Sequence, residues 1–475
     1  MDLLTSAIAY FDSFWAAAVD IVWGLPLVIL LVGSGLFFTI YSRFIPFRAA
    51  GHALQILRGK YDKPDDPGEI SHFQALTSAL SATIGMGNIA GVALAVAMGG
   101  PGAIFWMWVA GLVGMATKFF TCTLAVMYRK KDANGVEQGG PMYYLEVGLG
   151  RWAKPLAIMF AICGMIGCLT LFQMNQLAGL MESQWQIGRW LTGLSGALLV
   201  GVVIIGGIKR VGQVTSKVVP AMFVLFMVFA GWVIITNISM VPTVFAAIVK
   251  AAFGFEAIAG GAAGMAMREV LVQGVRRAAF SNEAGLGTAP MAHGAAKTKE
   301  PVREGLIAML GPFFDTHIIC TMTALVLFVS GVVPMSGGLE ISEEVAVVTT
   351  ANAFDAALPG IGGYLLATIV VLFSISTMMS YSYYSVKCAS YLAGSKFGSY
   401  YVYVYVLSLI PAALWSQDTI INMLDTSFAL MSIPTLTGAL LLSPKVYRAT
   451  KDYFHRMGLS SPRRRGSTLD ARSMK

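Results

Sequence analysis

Charge is scarce in this sequence. Of 475 residues only 12% are Asp, Glu, Lys or Arg, while 56% are apolar and the mean hydropathy is +0.69. A soluble globular domain carries about 25% charged residues, so the composition leaves an all-α polytopic membrane protein. Cysteine is scarce too. The five present, Cys122, Cys163, Cys168, Cys320 and Cys388, lie in or at the end of apolar segments, and their odd number implies no disulfide framework. They read as small core residues. Long polar intervals are missing, which argues for a single membrane domain over 1–475. The start of the chain lacks the cationic residues of a secretory signal, and 1–21 reads as an interfacial helix. No HExxH occurs, and only His317 of the five histidines lies well inside an apolar run, so nothing points to an enzyme or a metal centre. A continuous polar lining, which a channel needs, is also missing.

What the sequence has instead is runs of about 20 apolar residues, each long enough to cross a bilayer. They predict eleven spans, at 22–41, 72–98, 102–128, 153–182, 190–208, 215–236, 243–267, 305–331, 360–385, 399–415 and 419–443. With the N-terminus outside, 27 of the 33 Lys and Arg fall in inside loops or the basic tail at 444–475. The 331–360 loop, on the outer side, has acids and no Lys or Arg. This asymmetry predicts N-out, C-in. The tail's cations flank the membrane and imply no nucleic-acid role.

Two spans should not be continuous helices. The second contains SATIGMGNIAG (81–91), and such glycine-rich interruptions are tolerated at membrane depth where unwound backbone lines a site. For the second break, AIAGGAAG (257–264) competes with SNEAGLG (281–287). Placing the crossing at 243–267 keeps Arg268, Arg276 and Arg277 out of the bilayer, where each would cost about 2.5–3.5 kcal/mol. The first stretch is therefore the predicted break, and 281–287 becomes a cytoplasmic turn near an inner gate. Broken spans five apart cross in opposite directions, which predicts an inverted five-plus-five repeat, 72–236 and 243–415, with a midplane site. The 22–41 helix and the last helix, 419–443, lie outside this repeat. The residues alone thus reach a transporter of a small solute.

The stretch GGPGAIFWMWVAGLVGM (99–115) resembles the signature of the alanine or glycine:cation symporters. The resemblance continues through QGGPMYYLEVGLG (138–150), FSNEAGLG (280–287), PFFDTHIICTMTALV (312–326) and LWSQDTIINMLD (414–425). It implies the leucine-transporter fold, a bacterial inner-membrane location, and sodium-coupled import of alanine or glycine with no cofactor beyond the coupling ion. Proton coupling or exchange remains the alternative reading.

The resemblance also implies site residues. Unwound backbone at Gly85 and Gly87, with Thr83 and Met86, would meet the substrate, and the dipole of the following half-helix would favour its carboxylate. Carbonyls around Gly260 and Gly261 would face its ammonium. Ser81, Ile84, Phe373, Ser376 and Thr377 would bind sodium, and Asn88 would add a second cation or substrate ligand. Gln173, in mid-membrane, reads equally as a substrate contact or as packing. Asp315 is expected to pair with Lys118; without that pair it becomes a sodium or proton site. Glu256, beside the predicted break, carries the same ambiguity. Tyr381 stands where relatives of this resemblance usually have tryptophan, so a larger neutral amino acid also stays open.

Overall fold

The computed structural model describes residues 2–132, 135–253, 263–335 and 346–459. Helices α1 (Asp2–Val22) and α2 (Leu25–Tyr41) lead through short α3 (Ile45–Arg48) and α4 (Ala50–Leu57) to α5 (His72–Thr83) and α6 (Met86–Gly99). Next come α7 (Gly102–Met127), a small antiparallel hairpin of β1 (Lys130–Lys131) and β2 (Glu137–Gln138), and the single turn α8 (Pro141–Tyr143). The chain continues with α9 (Lys154–Gly167), α10 (Leu171–Trp185), α11 (Arg189–Ile204), α12 (Gly207–Thr236) and α13 (Val241–Ala252). After residue 262 it forms α14 (Ala263–Asn282), α15 (Ala289–His293), α16 (Pro301–Ala308), a π-helical segment (Phe313–Cys320) and α17 (Thr321–Val329). The last helices are α18 (Ala346–Ala357), α19 (Gly362–Ala393), α20 (Ser395–Ala412) and α21 (Gln417–Arg456).

Among the described residues, seven helices are long and apolar enough to cross a bilayer, and an eighth counts if α1 and α2, bent by 51°, form one span. Burial orders them from centre to rim. The apolar window of His72–Gly99 is 100% buried and that of Gly207–Thr236 only 28%, so the interrupted helix runs through the middle while α12 faces outward. Local chemistry starts the central helix: Ser71 accepts from the Gln74 amide at 3.2 Å and Gln74 Oε1 accepts from the Ser71 amide at 3.0 Å, a reciprocal cap. Small residues let its neighbours close in. A side chain at Gly305 of α16 would come within 2.6 Å of the Phe119 carbonyl on α7.

Two expectations change in detail. The predicted 153–182 span is two helices, α9 and α10, joined through Thr170 at φ 52, whose hydroxyl lies 2.6 Å from the Tyr405 hydroxyl. The basic tail predicted from residue 444 continues α21 as far as Arg456.

The larger correction concerns the second break. α13 ends at Ala252, and the helix that begins at Ala263 runs on to Asn282, well past the predicted end of the 243–267 span. Of the two competing stretches, 281–287 interrupts a helix within the core, while 254–262, including Glu256, Gly260 and Gly261, lie outside the described residues. Of the three arginines that argued against this placement, Arg268 is exposed, and Arg276 and Arg277 are neutralised inside the protein. Asp425 of α21 accepts from Arg276 Nε at 2.7 Å, and Arg277 Nη2 lies 3.4 Å from the same carboxylate oxygen. Trp23 stacks over Arg276 at 5.9 Å and donates its indole N–H to the Asp425 carbonyl at 2.9 Å. Replacing Asp425 with alanine strands two buried guanidinium groups; we expect a loss of about 3–5 kcal/mol, read as a lower thermal unfolding midpoint of the purified protein in detergent.

Candidate functional site

The first break lies between α5 and α6. Ile84 is extended at φ −74, ψ 94, and Gly85 follows at φ −161, ψ −147, so the helix stops for two residues and restarts at Met86. The freed Gly85 N–H donates to Asn88 Oδ1 at 2.8 Å. The second break lies between α14 and α15, where Glu283 takes φ 56 and Gly285 and Gly287 both take φ 93. Glycine tolerates that left-handed backbone without penalty, which is what the GLG of this stretch supplies. Asn282 closes the turn by accepting from the Ala284 amide at 2.9 Å.

One side chain ties the breaks together. The Asp315 carboxylate accepts from Asn88 Nδ2 of α6 at 2.6 Å, from Ser281 Oγ of α14 at 2.7 Å and from Thr316 Oγ1 at 2.9 Å. Asp315 is fully buried, on the π-helical segment. Such widened turns recur at functional sites. The expected partner makes no direct contact with it: none of the ion pairs within 4.0 Å among the described residues includes Lys118, although that residue is also buried. Neutral donors have taken the role that a cation was expected to fill. Asn88, expected as a ligand, spends its oxygen on Gly85 and its amide on Asp315.

Glu283 is the residue that sequence reasoning missed. Its carboxylate accepts from Thr288 Oγ1 at 2.5 Å and from the Tyr381 hydroxyl. The Tyr381 hydroxyl is therefore committed to the second break. The signal available was the density of polar residues and glycines in FSNEAGLG, at least as high as that of the first break.

The predicted cation residues converge between α5 and α19. Thr377 Oγ1 donates to the Ser81 carbonyl at 2.9 Å, Ser81 Oγ donates to the Ser376 carbonyl at 2.7 Å, and Ser376 Oγ donates to the Phe373 carbonyl at 3.0 Å. Ile84 and Phe373 are fully buried beside them. The set consists of neutral oxygens whose hydroxyls can rotate from donor to acceptor, the ligand type that hard cations take. A side chain at Gly85 would collide with Thr377 Oγ1 at 2.5 Å, so the first break and this oxygen cluster are in direct contact.

The predicted substrate residues gather at the same level. Thr83 and Met86 are buried, and a side chain at Gly87 would come within 3.2 Å of Phe280 and Ser281. Gln173 on α10 is buried and its Oε1 has no hydrogen-bond partner, whereas its neighbour Asn175 donates to the Ala412 and Trp415 carbonyls at 3.1 and 3.0 Å. Asn175 is thus packing, while Gln173 keeps an acceptor in reserve. Ser374, Ser380 and Tyr384 of α19 also carry buried hydroxyls without partners.

The far ends of the broken helices meet at a second carboxylate. Glu304 of α16, fully buried, accepts from His72 Nδ1 at the start of α5 and from His293 Nδ1, 2.6 Å away, at the end of α15. An ionised carboxylate only accepts, so both imidazoles present their Nδ1–H to it. The two broken helices therefore run antiparallel, with polar ties on opposite sides of the breaks: Arg276 and Arg277 to Asp425, and His72 and His293 to Glu304.

Known proteins show the same chain plan. The sodium/alanine symporter AgcS of Methanococcus maripaludis is 42% identical over 438 residues, covering 91% of this chain and 95% of that protein. GlnT of Bacillus subtilis, described as a probable sodium/glutamine symporter, is 36% identical over 440 residues, 91% of this chain and 89% of that one. In the crystal structure of MhsT in complex with L-phenylalanine, 98% of that chain matches 80% of this one with a TM-score of 0.52 at 13% identity, which shows the leucine-transporter fold. The sequence profile described as the sodium:alanine symporter family matches residues 8–463. A membrane transporter and not an enzyme, the chain belongs to the sodium:alanine symporter family.

Proposed function

We propose that the protein imports a small neutral amino acid, alanine or glycine, with sodium, by alternating access. The observation that carries this reading is the contact of the two helix breaks, through Asp315, beside an all-neutral oxygen cluster from α5 and α19. Sodium at Ser81, Ile84, Phe373, Ser376 and Thr377 would stiffen the first break, and the amino-acid carboxylate would take the N–H groups of Met86 and Gly87, that of Gly85 being held by Asn88. A Cβ on Gly87 would already lie 3.2 Å from Phe280, so space beside this break is tight, which favours a substrate with a short side chain. The description of the 42% identical relative as a sodium/alanine symporter supports both the ion and the substrate.

The energy is adequate. One sodium ion entering down 100 mV and a tenfold gradient releases about 3.7 kcal/mol, enough for roughly 500-fold accumulation at one-to-one stoichiometry. Coupling requires that ion and substrate favour each other's binding reciprocally. In this reading the two polar ties act as alternating latches, the Glu304 tie toward the cytoplasm and the Asp425 tie toward the outside. A proton-coupled mechanism is the second reading, and the observation in its favour is that Asp315 lacks the ion pair expected of it.

Uptake of labelled L-alanine and glycine into proteoliposomes should require an inward sodium gradient; accumulation driven by protons instead would shift the coupling to Asp315 and Glu283. Removing both hydroxyls in a Ser376→Ala, Thr377→Ala variant should cost about 1.5–3 kcal/mol of cation binding. That raises the half-saturating sodium concentration roughly ten- to 100-fold while leaving the maximal rate at saturating sodium largely intact; an unchanged sodium dependence contradicts this site. Glu304→Ala should loosen the ends of α5 and α15 together, seen as amide exchange across 289–296 accelerated at least about 100-fold, with 189–204 unaffected.

A further inference from the structure

Away from the breaks, a cavity of about 330 Å³ opens where α2 ends and the last turns of α21 pass α7. That volume falls within the range of small-molecule sites, about 300–1,000 Å³. Its lining brings three cations, Arg43, Arg48 and Lys451, against the rings of Phe119, Phe120 and Phe454, and it contains no acidic residue. None of the three cations enters an ion pair with a carboxylate among the described residues. The nearest neutral contact is weak, Arg48 donating to the Arg43 carbonyl at 3.3 Å. Like charges gathered without a counter-charge repel one another, so the arrangement calls for an anion.

The backbone here is strained in the same sense. Arg43 and Phe44 adopt consecutive left-handed conformations, φ 57 and φ 59, a cost of about 1–3 kcal/mol for each non-glycine residue. That turn swings the chain from α2 into α3 and sets Arg43 and Arg48 on one cavity. It also leaves Phe44 and Phe47 51% and 59% exposed, directly beyond the end of an apolar helix. Aromatic side chains in that position lie at the bilayer interface, next to the headgroups.

We propose that this cavity holds the headgroup of one anionic phospholipid, its phosphate on Arg43, Arg48 and Lys451 and its acyl chains along Phe44 and Phe47. Three cations facing one phosphate leave an excess of positive charge that disfavours the ammonium of a zwitterionic lipid. The partly exposed rings of Tyr447 and Phe454, with the exposed Leu459, suit the glycerol backbone, and a free phosphate ion would leave this apolar side of the cavity without contact.

Native mass spectrometry of the full-length protein in detergent, titrated with phosphatidylglycerol or phosphatidylcholine of matched chains, tests this. One phosphatidylglycerol should bind at least tenfold more tightly than phosphatidylcholine. Each cation near an anionic headgroup contributes about fivefold, so an Arg43→Gln, Arg48→Gln, Lys451→Gln variant should weaken that binding roughly 100-fold. Lys209→Gln, Arg210→Gln, on α12 and outside the cavity, should leave it unchanged. If the triple variant does not fold, the single variants Arg48→Gln and Lys451→Gln should each weaken binding several-fold. Equal binding of the two lipids, or unchanged binding in the cavity variants, overturns the proposal. Displacement of phosphatidylglycerol by inorganic phosphate overturns it as well, because the ligand would then be the free anion.

Discussion

A helix interrupted inside a bilayer leaves backbone groups that water cannot reach, and this protein meets that constraint with side-chain amides, one of them anchored on a buried carboxylate. Asp315 sits on a widened turn and accepts from Asn88 just past the first break and from Ser281 at the edge of the second. Asn88 in turn holds the first free amide, that of Gly85. Both breaks thus donate to the same carboxyl group, so they are held as a pair rather than as two independent defects. Everything proposed about transport depends on that pairing, because the substrate and the ion would bind to the backbone it exposes.

The same economy appears at the ends of the broken helices. Glu304 gathers His72 and His293 from two different helices, and Asp425 gathers Arg276 and Arg277 with the indole of Trp23. Breaking a buried ion pair costs several kcal/mol, while the intact pair contributes little net stability compared with apolar packing. Such ties suit a structure that must hold two arrangements. They define which surfaces meet, and their loss in one state can be offset by solvation when that end opens to water.

Much of this was legible in the sequence. The scarcity of charge gave the class and TIGMGN the first break, while the family resemblance implied Ser81, Ile84, Ser376 and Thr377, which the fold brings into one cluster. The second break was misplaced for a physical reason. The hydrophobic cost of Arg276 and Arg277 was assessed as if they were alone, whereas their partner Asp425 lies about 150 residues further along the chain. The same blindness hid the bond from Tyr381 to Glu283, 98 residues apart, and assigned Asp315 a lysine where Asn88 and Ser281 had already satisfied it. Local pattern reports which groups are unusual in a bilayer, but the identity of their partners is a property of the folded chain.

The most direct test of the central claim, that the two facing breaks form the binding site, is an experimental structure of the protein with L-alanine and sodium. The account predicts the amino acid against the backbone of 85–87 with the 283–288 turn on its other side, and an ion within the oxygens of Ser81, Ser376 and Thr377. A ligand bound away from both breaks, or an ion held elsewhere with Ser376 and Thr377 still bonded only to carbonyls, would contradict it.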